Sequence, residues 1–353
     1  MIRYPIRLIL CVVISSHFSL AQNVSIGMFG LFHPHRLTLR AVRGEAVMVR
    51  AGNKTIALEP GPGGDIAQIR VFRDALTVKI GDQIIHSQEL KAGSRSSGPV
   101  DFVLAVPGKI TRRYRGWLTI KPDSGVLSPV VSMDIETAVA SVVQAESGPA
   151  APLEALKAQA VATRSYFLAG KRRHRNFDFC DTTHCQFLRE PPANNSPAFA
   201  ATLATRGLVL AYHEQPFAAM FTRSCSGRTF TPMEVGIPTQ NYPYYSVECR
   251  YCLDHPARWS SRISQQDASN LLGHHESSRL RIVRRMGWRT VPSNSFTVRQ
   301  EGAQVVLEGI GWGHGIGLCQ TGAKAMAEAG ADFHEILNHY YPNTTLIRIE
   351  GLQ

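Results

Sequence analysis

The chain has 353 residues, 44% of them hydrophobic and 18% charged, a globular balance that excludes a disordered or fibrous protein and leaves ample length for a buried core. Lys and Arg number 38 against 27 Asp and Glu, a net charge of +11. Such a surface suits a polyanion (nucleic acid, anionic lipid or cell-wall polymer), and composition alone does not choose among them.

The first residues narrow the choice. Arg3 and Arg7 precede a short apolar run over 8–14, and Ser19-Leu20-Ala21 places small residues where a signal peptidase reads. Residues 1–21 are therefore expected to be a secretory signal peptide cut before Gln22. The alternative, an uncleaved anchor, conflicts with Ser15, Ser16 and His17, which interrupt the run. No later stretch is long and apolar enough for a transmembrane helix. Loss of Arg3 and Arg7 leaves 36 cationic side chains against 27 acids, or +9. A basic protein exported to the periplasm or cell envelope is expected to meet a wall polymer and no nucleic acid. Six cysteines remain after Cys11: Cys180, Cys185, Cys225, Cys249, Cys252 and Cys319. In an oxidising compartment disulfides are the default, with fifteen possible pairings.

From residue 22 to 110 short runs alternate between apolar and polar residues. They cover 37–42, 46–50, 66–72 and 76–80, broken by Gly52-Asn53 and Gly81-Asp82. A period of two predicts strands with one buried face, hence a β-rich N-terminal unit for packing or wall contact. The body, 111–353, opens with strands over 114–120 and 126–133 and then changes character. Helices are expected over 135–143 and over 153–169, where Leu153, Leu156, Ala160 and Phe167 form one apolar stripe. Further helices are expected near 199–206, 264–272 and 332–339, with strands near 208–210 and 218–222. The fold class is α+β, a β-rich front followed by a mixed helix and strand catalytic domain.

Four constellations carry chemistry. Glu146 follows Val143 and Ala145 at a helix end. Partial desolvation there would keep it protonated as a general acid near neutral pH, whereas a solvated helix-end Glu is the bland alternative. Five glycines alternate from Gly309 to Gly317 around His314, the only titrating side chain of that loop. The Lys-Ser/Thr of a phosphate loop is missing, which argues against nucleotide binding and leaves a ligand loop or a structural turn. Cys180 and Cys185, with His184 beside them and His174 upstream, offer the ligand types of a four-coordinate zinc site, and a Cys180–Cys185 disulfide stays open. The stretch 222–227 (Thr-Arg-Ser-Cys-Ser-Gly) lacks a partner for a nucleophile and reads as a substrate-lining loop. Cys249-x2-Cys252 with Cys225 and Cys319 reads as two disulfides, with a second metal site as the alternative.

Five ordered stretches resemble the stage II sporulation protein D family, also called the amidase-enhancer family. They are Tyr114-Arg115-Gly116, the run from Pro152 to Tyr166 (PLEALKAQAVATRSY), Asp181 to Gln186, Gly313-His314-Gly315-Ile316-Gly317 with Gln320, Gly322 and Ala323, and Glu335-Ile336-Leu337 to Tyr340-Tyr341-Pro342. The resemblance implies an exported lytic transglycosylase acting on peptidoglycan glycan strands. Its glutamate just before the Leu-Glu-Ala-Leu-Lys-Ala-Gln helix corresponds to Glu146. Here Ser147-Gly148 stands where the family usually has Met-Pro. Gln159, Arg164, Ser224, His314 and Gln320 are then expected to bind substrate or shape the cleft. Cys180, His184 and Cys185, with His174 as fourth ligand, would hold one structural zinc. No organic cofactor is implied. The competing expectation is a non-catalytic wall-binding protein that stimulates an N-acetylmuramoyl-L-alanine amidase.

Overall fold

A computed structural model describes residues 22–349, apart from 43, 61–64, 149, 237–245, 270–282 and 284–285. The expected signal peptide, 1–21, and the end of the helix expected over 264–272 lie outside the described residues. Alternation becomes sheet throughout the front: β1 (Asn23–Gly27), β2 (Arg36–Ala41), β3 (Val47–Ala51), β4 (Lys54–Leu58), β5 (Ile66–Phe72), β6 (Ala75–Ile80), β7 (Gln83–Ser87), β8 (Leu90–Gly93), β9 (Val100–Val106), β10 (Ile110–Asp123) and β11 (Val126–Asp134). In β9, Val100, Phe102, Leu104 and Val106 are buried and the residues between them are half-exposed, the side-chain period of a strand with one core face.

The main sheet runs β12-β1-β11-β10-β9-β2-β5-β6-β7, where β12 (Phe179–Cys180) lies parallel to β1, and β8, β3 and β4 branch from β10. Strand β10 joins the two halves. Its residues 110–116 pair with β9, and 117–123 pair with β11 while 118–120 also pair with β8. The sheet is therefore continuous across residue 110. One core holds Leu39, Val78 and Phe102 of the front together with Val139, Leu156 and Phe167 of the body. The front also positions the body directly: Asp178 accepts from the backbone and hydroxyl of Ser25, and Asp181 accepts from the amide of Phe29.

Helix α1 (Ile135–Glu146) begins at Asp134, whose carboxylate caps the amides of Glu136 and Thr137, a contribution of about 1 kcal/mol. It stops at Ser147, whose backbone is extended. After the break comes α2 (Leu153–Ala169). The expected stripe is incomplete on it: Leu153 is exposed, whereas every residue from Ala155 to Phe167 except Lys157 is buried. Its alanines at 155, 158, 160 and 162 let α1, α3 (Pro197–Ala204) and the C-terminal helices approach from several sides, so an amphipathic pattern does not develop.

β13 (Leu208–Tyr212) pairs with β14 (Gln215–Pro216) and with the last strand, β20 (Thr345–Arg348). β15 (Phe221–Thr222) runs parallel to β19 (Leu318–Cys319), with Thr222 opposite Cys319. Between them lie α4 (Arg250–Asp254), β16 (Arg258–Ser264), α5 (Gln265–Ser269), β17 (Phe296–Glu301) and β18 (Gln304–Ile310), of which β16, β18 and β17 form a separate antiparallel sheet. Helices α6 (Gln320–Glu328) and α7 (Phe333–Tyr340) pack on α2. Among the described residues no helix is long and apolar enough to cross a membrane.

Candidate active site

The end of α1, the loop after β12, the end of β15 and the glycine loop before β19 enclose a cleft of about 680 Å³. Glu146 lies in it, beside Phe187, Arg223, Trp312, His314 and Gln320. Tyr166, Trp288 and Arg289 complete much of the wall. Among the described lining residues Glu146 is the only carboxylate. A broader depression of about 870 Å³ lies near Arg228, Phe230 and Glu234. There the hydrogen bonds of Arg228 and Thr231 overcome burial and hold Glu234 below the usual carboxylate range, which leaves it poorly suited to proton donation.

Glu146 is half-buried, and loss of solvent raises its pKa to about 7. The Phe187 amide, 3.1 Å from Oε1, and the charges of Arg223 and Arg189 pull the other way. The carboxyl is thus poised to exist in both protonation states near neutral pH. Its main chain is held as well: Gln320 Nε2 donates to the Glu146 carbonyl at 3.4 Å and to Gln159 Oε1 at 3.3 Å. Arg223 lies over the Trp312 ring, 5.5 Å from its centroid, and so presents a cation and an aromatic face together.

The glycine loop is held by backbone conformations that side chains oppose. Gly313 has φ +99°, and a Cβ there would come within 2.5 Å of Thr222 Oγ1. That hydroxyl donates to the Trp312 carbonyl and accepts from the Gly315 amide, which stitches the loop to β15. Gly317, at φ +69°, lies against the Met220 carbonyl. His314 Nδ1 accepts from the Ile316 amide at 3.1 Å. In the neutral ring the proton is therefore on Nε2.

The structure brings Glu146, His314 and Gln320 to one cleft and places Gln159 directly behind Gln320. Two other expected cleft residues lie elsewhere. Arg164 is fully buried, forms a two-pronged ion pair with Glu136 and donates to the carbonyls of Leu208 and Thr202. It anchors α2 to α1 and does not reach the cleft, because the same turn that buries the alanines also turns Arg164 inward. Ser224 is buried with its hydroxyl 3.6 Å from Cys252 Sγ, and the preceding Thr222 and Arg223 face the cleft in its place. Sequence reasoning singled out the loop containing Arg223 without assigning that side chain. Phe187 follows the Asp181–Gln186 stretch, and its contribution is a backbone amide, invisible in residue type. Trp288 and Arg289 lie outside every motif.

His174, Cys180, His184 and Cys185 form a compact group, with donor atoms all within 4.8 Å of one another. His174 Nε2 is 3.3 Å from Cys185 Sγ, and His184 Nδ1 is 3.5 Å and 3.8 Å from the sulfurs of Cys185 and Cys180. The edges of a tetrahedron around zinc with sulfur and nitrogen ligands measure about 3.3–3.8 Å. Two thiols and two imidazoles at these separations fit such an ion. Cys185 and Thr183 also border the cleft, so this group abuts the loop that supplies the Phe187 amide.

The sequence model of the family described as Stage II sporulation protein matches residues 123–212. An uncharacterised protein of Brachyspira hyodysenteriae is 30% identical over 268 residues, 66% of this chain and 72% of that one. The stage II sporulation protein D of Bacillus amyloliquefaciens is 24% identical over 255 residues, 60% of this chain and 74% of its own. The amidase enhancer of Bacillus subtilis is 44% identical over 70 residues, 20% of this chain and 10% of that longer protein.

Proposed function

This chain belongs to the stage II sporulation protein D family, and on that premise we propose that it is an exported cell-wall protein that cleaves peptidoglycan glycan strands as a lytic transglycosylase. The observation that carries this reading is Glu146, the one carboxyl among the described lining residues of the cleft, whose pKa is pushed up to about 7. Glycoside hydrolysis by two carboxylates needs an acid and a second group that serves as nucleophile or base. A lytic transglycosylase needs one. Protonated Glu146 gives its proton to the oxygen leaving the muramic acid carbon. The resulting carboxylate takes the proton of the same sugar's 6-hydroxyl as that oxygen attacks the anomeric carbon and closes a 1,6-anhydro ring. The sugar's own hydroxyl is favoured over water by proximity.

The surrounding residues suit that task. Tyr166, Phe187, Trp288 and Trp312 supply apolar faces for sugar rings, and Arg223 and Arg289 supply donors for acidic and hydroxyl groups. His174, Cys180, His184 and Cys185 would hold a zinc ion. With four protein ligands the ion leaves no position for activated water, so its contribution is to order the 180–187 loop. The net charge of +9 left once residues 1–21 are removed adds a general attraction to an anionic wall polymer.

The test is to incubate purified protein with intact and with peptide-free glycan strands and to look for anhydromuramic ends by mass spectrometry. The expected result is anhydro product from wild type and a loss of at least about a hundredfold in Glu146→Gln. Absence of product on both substrates, or equal product from the variant, overturns the enzymatic reading. The amidase-enhancer relative favours a second reading, stimulation of a wall amidase without bond cleavage. Under that reading amidase release of stem peptides rises on adding either wild type or Glu146→Gln.

A further inference from the structure

We propose that Cys225, Cys249, Cys252 and Cys319 form a second metal site, a buried tetrathiolate that takes one zinc ion and clamps two walls of the cleft together. The four thiols come from three separated segments. Cys225 follows β15, Cys249 and Cys252 bracket the start of α4, and Cys319 ends β19 and caps α6. Their sulfurs all lie within 4.8 Å of one another, and none of the four residues is more than 2% exposed. Sulfurs about 2.3 Å from a tetrahedral ion stand about 3.8 Å apart, and those of Cys252 and Cys319 are 3.6 Å apart. The group is too tight for an iron–sulfur cluster, which sets two or four irons between its thiolates.

Two disulfides are the competing chemistry, and the surroundings of the sulfurs favour metal-bound thiolate. The amides of Cys225 and Gly322 point at Cys319 Sγ, 3.3 Å and 3.4 Å away. The Tyr340 hydroxyl is 3.4 Å from Cys249 Sγ, and that of Ser224 is 3.6 Å from Cys252 Sγ. Donors converging on sulfur offset the negative charge that four thiolates leave on a divalent ion, whereas uncharged sulfur is only a weak acceptor. The C-x2-C pair is also the spacing that zinc sites commonly use.

Every ligand position is filled by protein, so the ion is structural. Its effect falls on the cleft because Cys225 is two residues from Arg223 and Cys319 adjoins Gln320, the residue that holds Glu146 and Gln159. A filled site locks β15 against β19 and thereby fixes the distance between these groups. None of this depends on glycan cleavage, and the readout is metal and thiol content.

The experiment uses the full chain, exported by its host and purified without chelator. Zinc is measured by elemental analysis. The denatured, unreduced chain is alkylated and weighed. We expect about one zinc per chain in the Cys180→Ser/Cys185→Ser variant, with Cys225, Cys249, Cys252 and Cys319 all alkylated. We also expect cobalt uptake by that variant to produce an intense thiolate-to-metal absorption band. Wild type should carry one zinc more than Cys249→Ser/Cys252→Ser. If the latter variant does not fold, the alkylation pattern of wild type decides. Unalkylated cysteines at these four positions before reduction, or no zinc in Cys180→Ser/Cys185→Ser, overturns the proposal.

Discussion

Phe187 and Glu146 are joined across 41 residues of sequence by an amide that donates to Oε1 at 3.1 Å. That bond favours the carboxylate, burial favours the acid, and the balance lies at about 7. The group is therefore neither a permanently charged surface Glu nor a permanently neutral one.

This balance makes stability depend on pH. In the unfolded chain Glu146 ionises near 4.5, and in the folded chain near 7. Its favourable contribution is complete below pH 4.5 and is lost as pH rises through about 7. Glu146→Gln removes that dependence. At pH 8 the variant should melt roughly 2–4 °C above wild type, equivalent to about 1 kcal/mol after allowing for partial solvent exposure. At pH 4 the gain should vanish. Scanning calorimetry at the two pH values checks it, and equal shifts at both would remove the buried-acid assignment.

Arg223 acts on the same carboxyl from the opposite wall. Its charge lowers the pKa of Glu146, so Arg223→Gln should raise it and move the alkaline limb of the pH–rate profile to higher pH. Loss of an arginine that only touched substrate would change KM and leave the limb in place. A profile of kcat/KM against pH separates the two outcomes.

Arg164 should prove a residue of stability. Its side chain is fully buried, and the paired Glu136 is 13% exposed. Arg164→Met leaves that carboxylate without its partner, a cost of about 3–5 kcal/mol. Thermal denaturation should show a fall of roughly 10 °C. Adding Glu136→Gln should recover part of it. The KM of the folded single variant for glycan strands should stay at the wild-type value, and a large KM change would place Arg164 in the cleft.

Gly313→Ala tests the glycine loop. A side chain at φ +99° that meets Thr222 Oγ1 should cost about 1–3 kcal/mol and displace His314 and Trp312. Product formation should fall more than tenfold. Gly302→Ala is the control, since Gly302 also has positive φ (+61°) but open space around its Cβ. It should lower the melting temperature slightly and leave activity intact.

The front strands over 37–42, 46–50, 66–72 and 76–80 were legible from alternation because each has one buried face, as Leu76, Val78 and Ile80 of β6 show, whereas β4 and β7 lack that alternation. Both long helices were legible too, since Ser147-Gly148 and Pro152 punctuate the chain between them. Glu146, His314 and Gln320 were expected at the cleft from the family resemblance, since the neighbours of Glu146 alone left a solvated helix-end Glu open, and the structure lines one cleft with all three. Arg164 sits inside an equally distinctive motif and points away from the cleft. A motif records that residues matter together and does not say whether they touch a ligand or one another.

From the first line the chain presented 38 cationic side chains, seven cysteines and a length generous for one domain. Sequence by itself determined the alternating front strands, the two long helices, the positions of the glycine loop and Glu146, and the presence of cysteine beside histidine, because these depend on neighbours along the chain. The β16–β18–β17 sheet was not legible in it. Tertiary structure decided what depends on neighbours in space. It joined front and body through β10, raised the pKa of Glu146 by removing water, and recruited a backbone amide at Phe187 and a cation at Arg223. It also drew four cysteines spread over 95 positions, from Cys225 to Cys319, into one group less than 5 Å across. Desolvation and convergence are properties of the packed chain, and no local pattern encodes either.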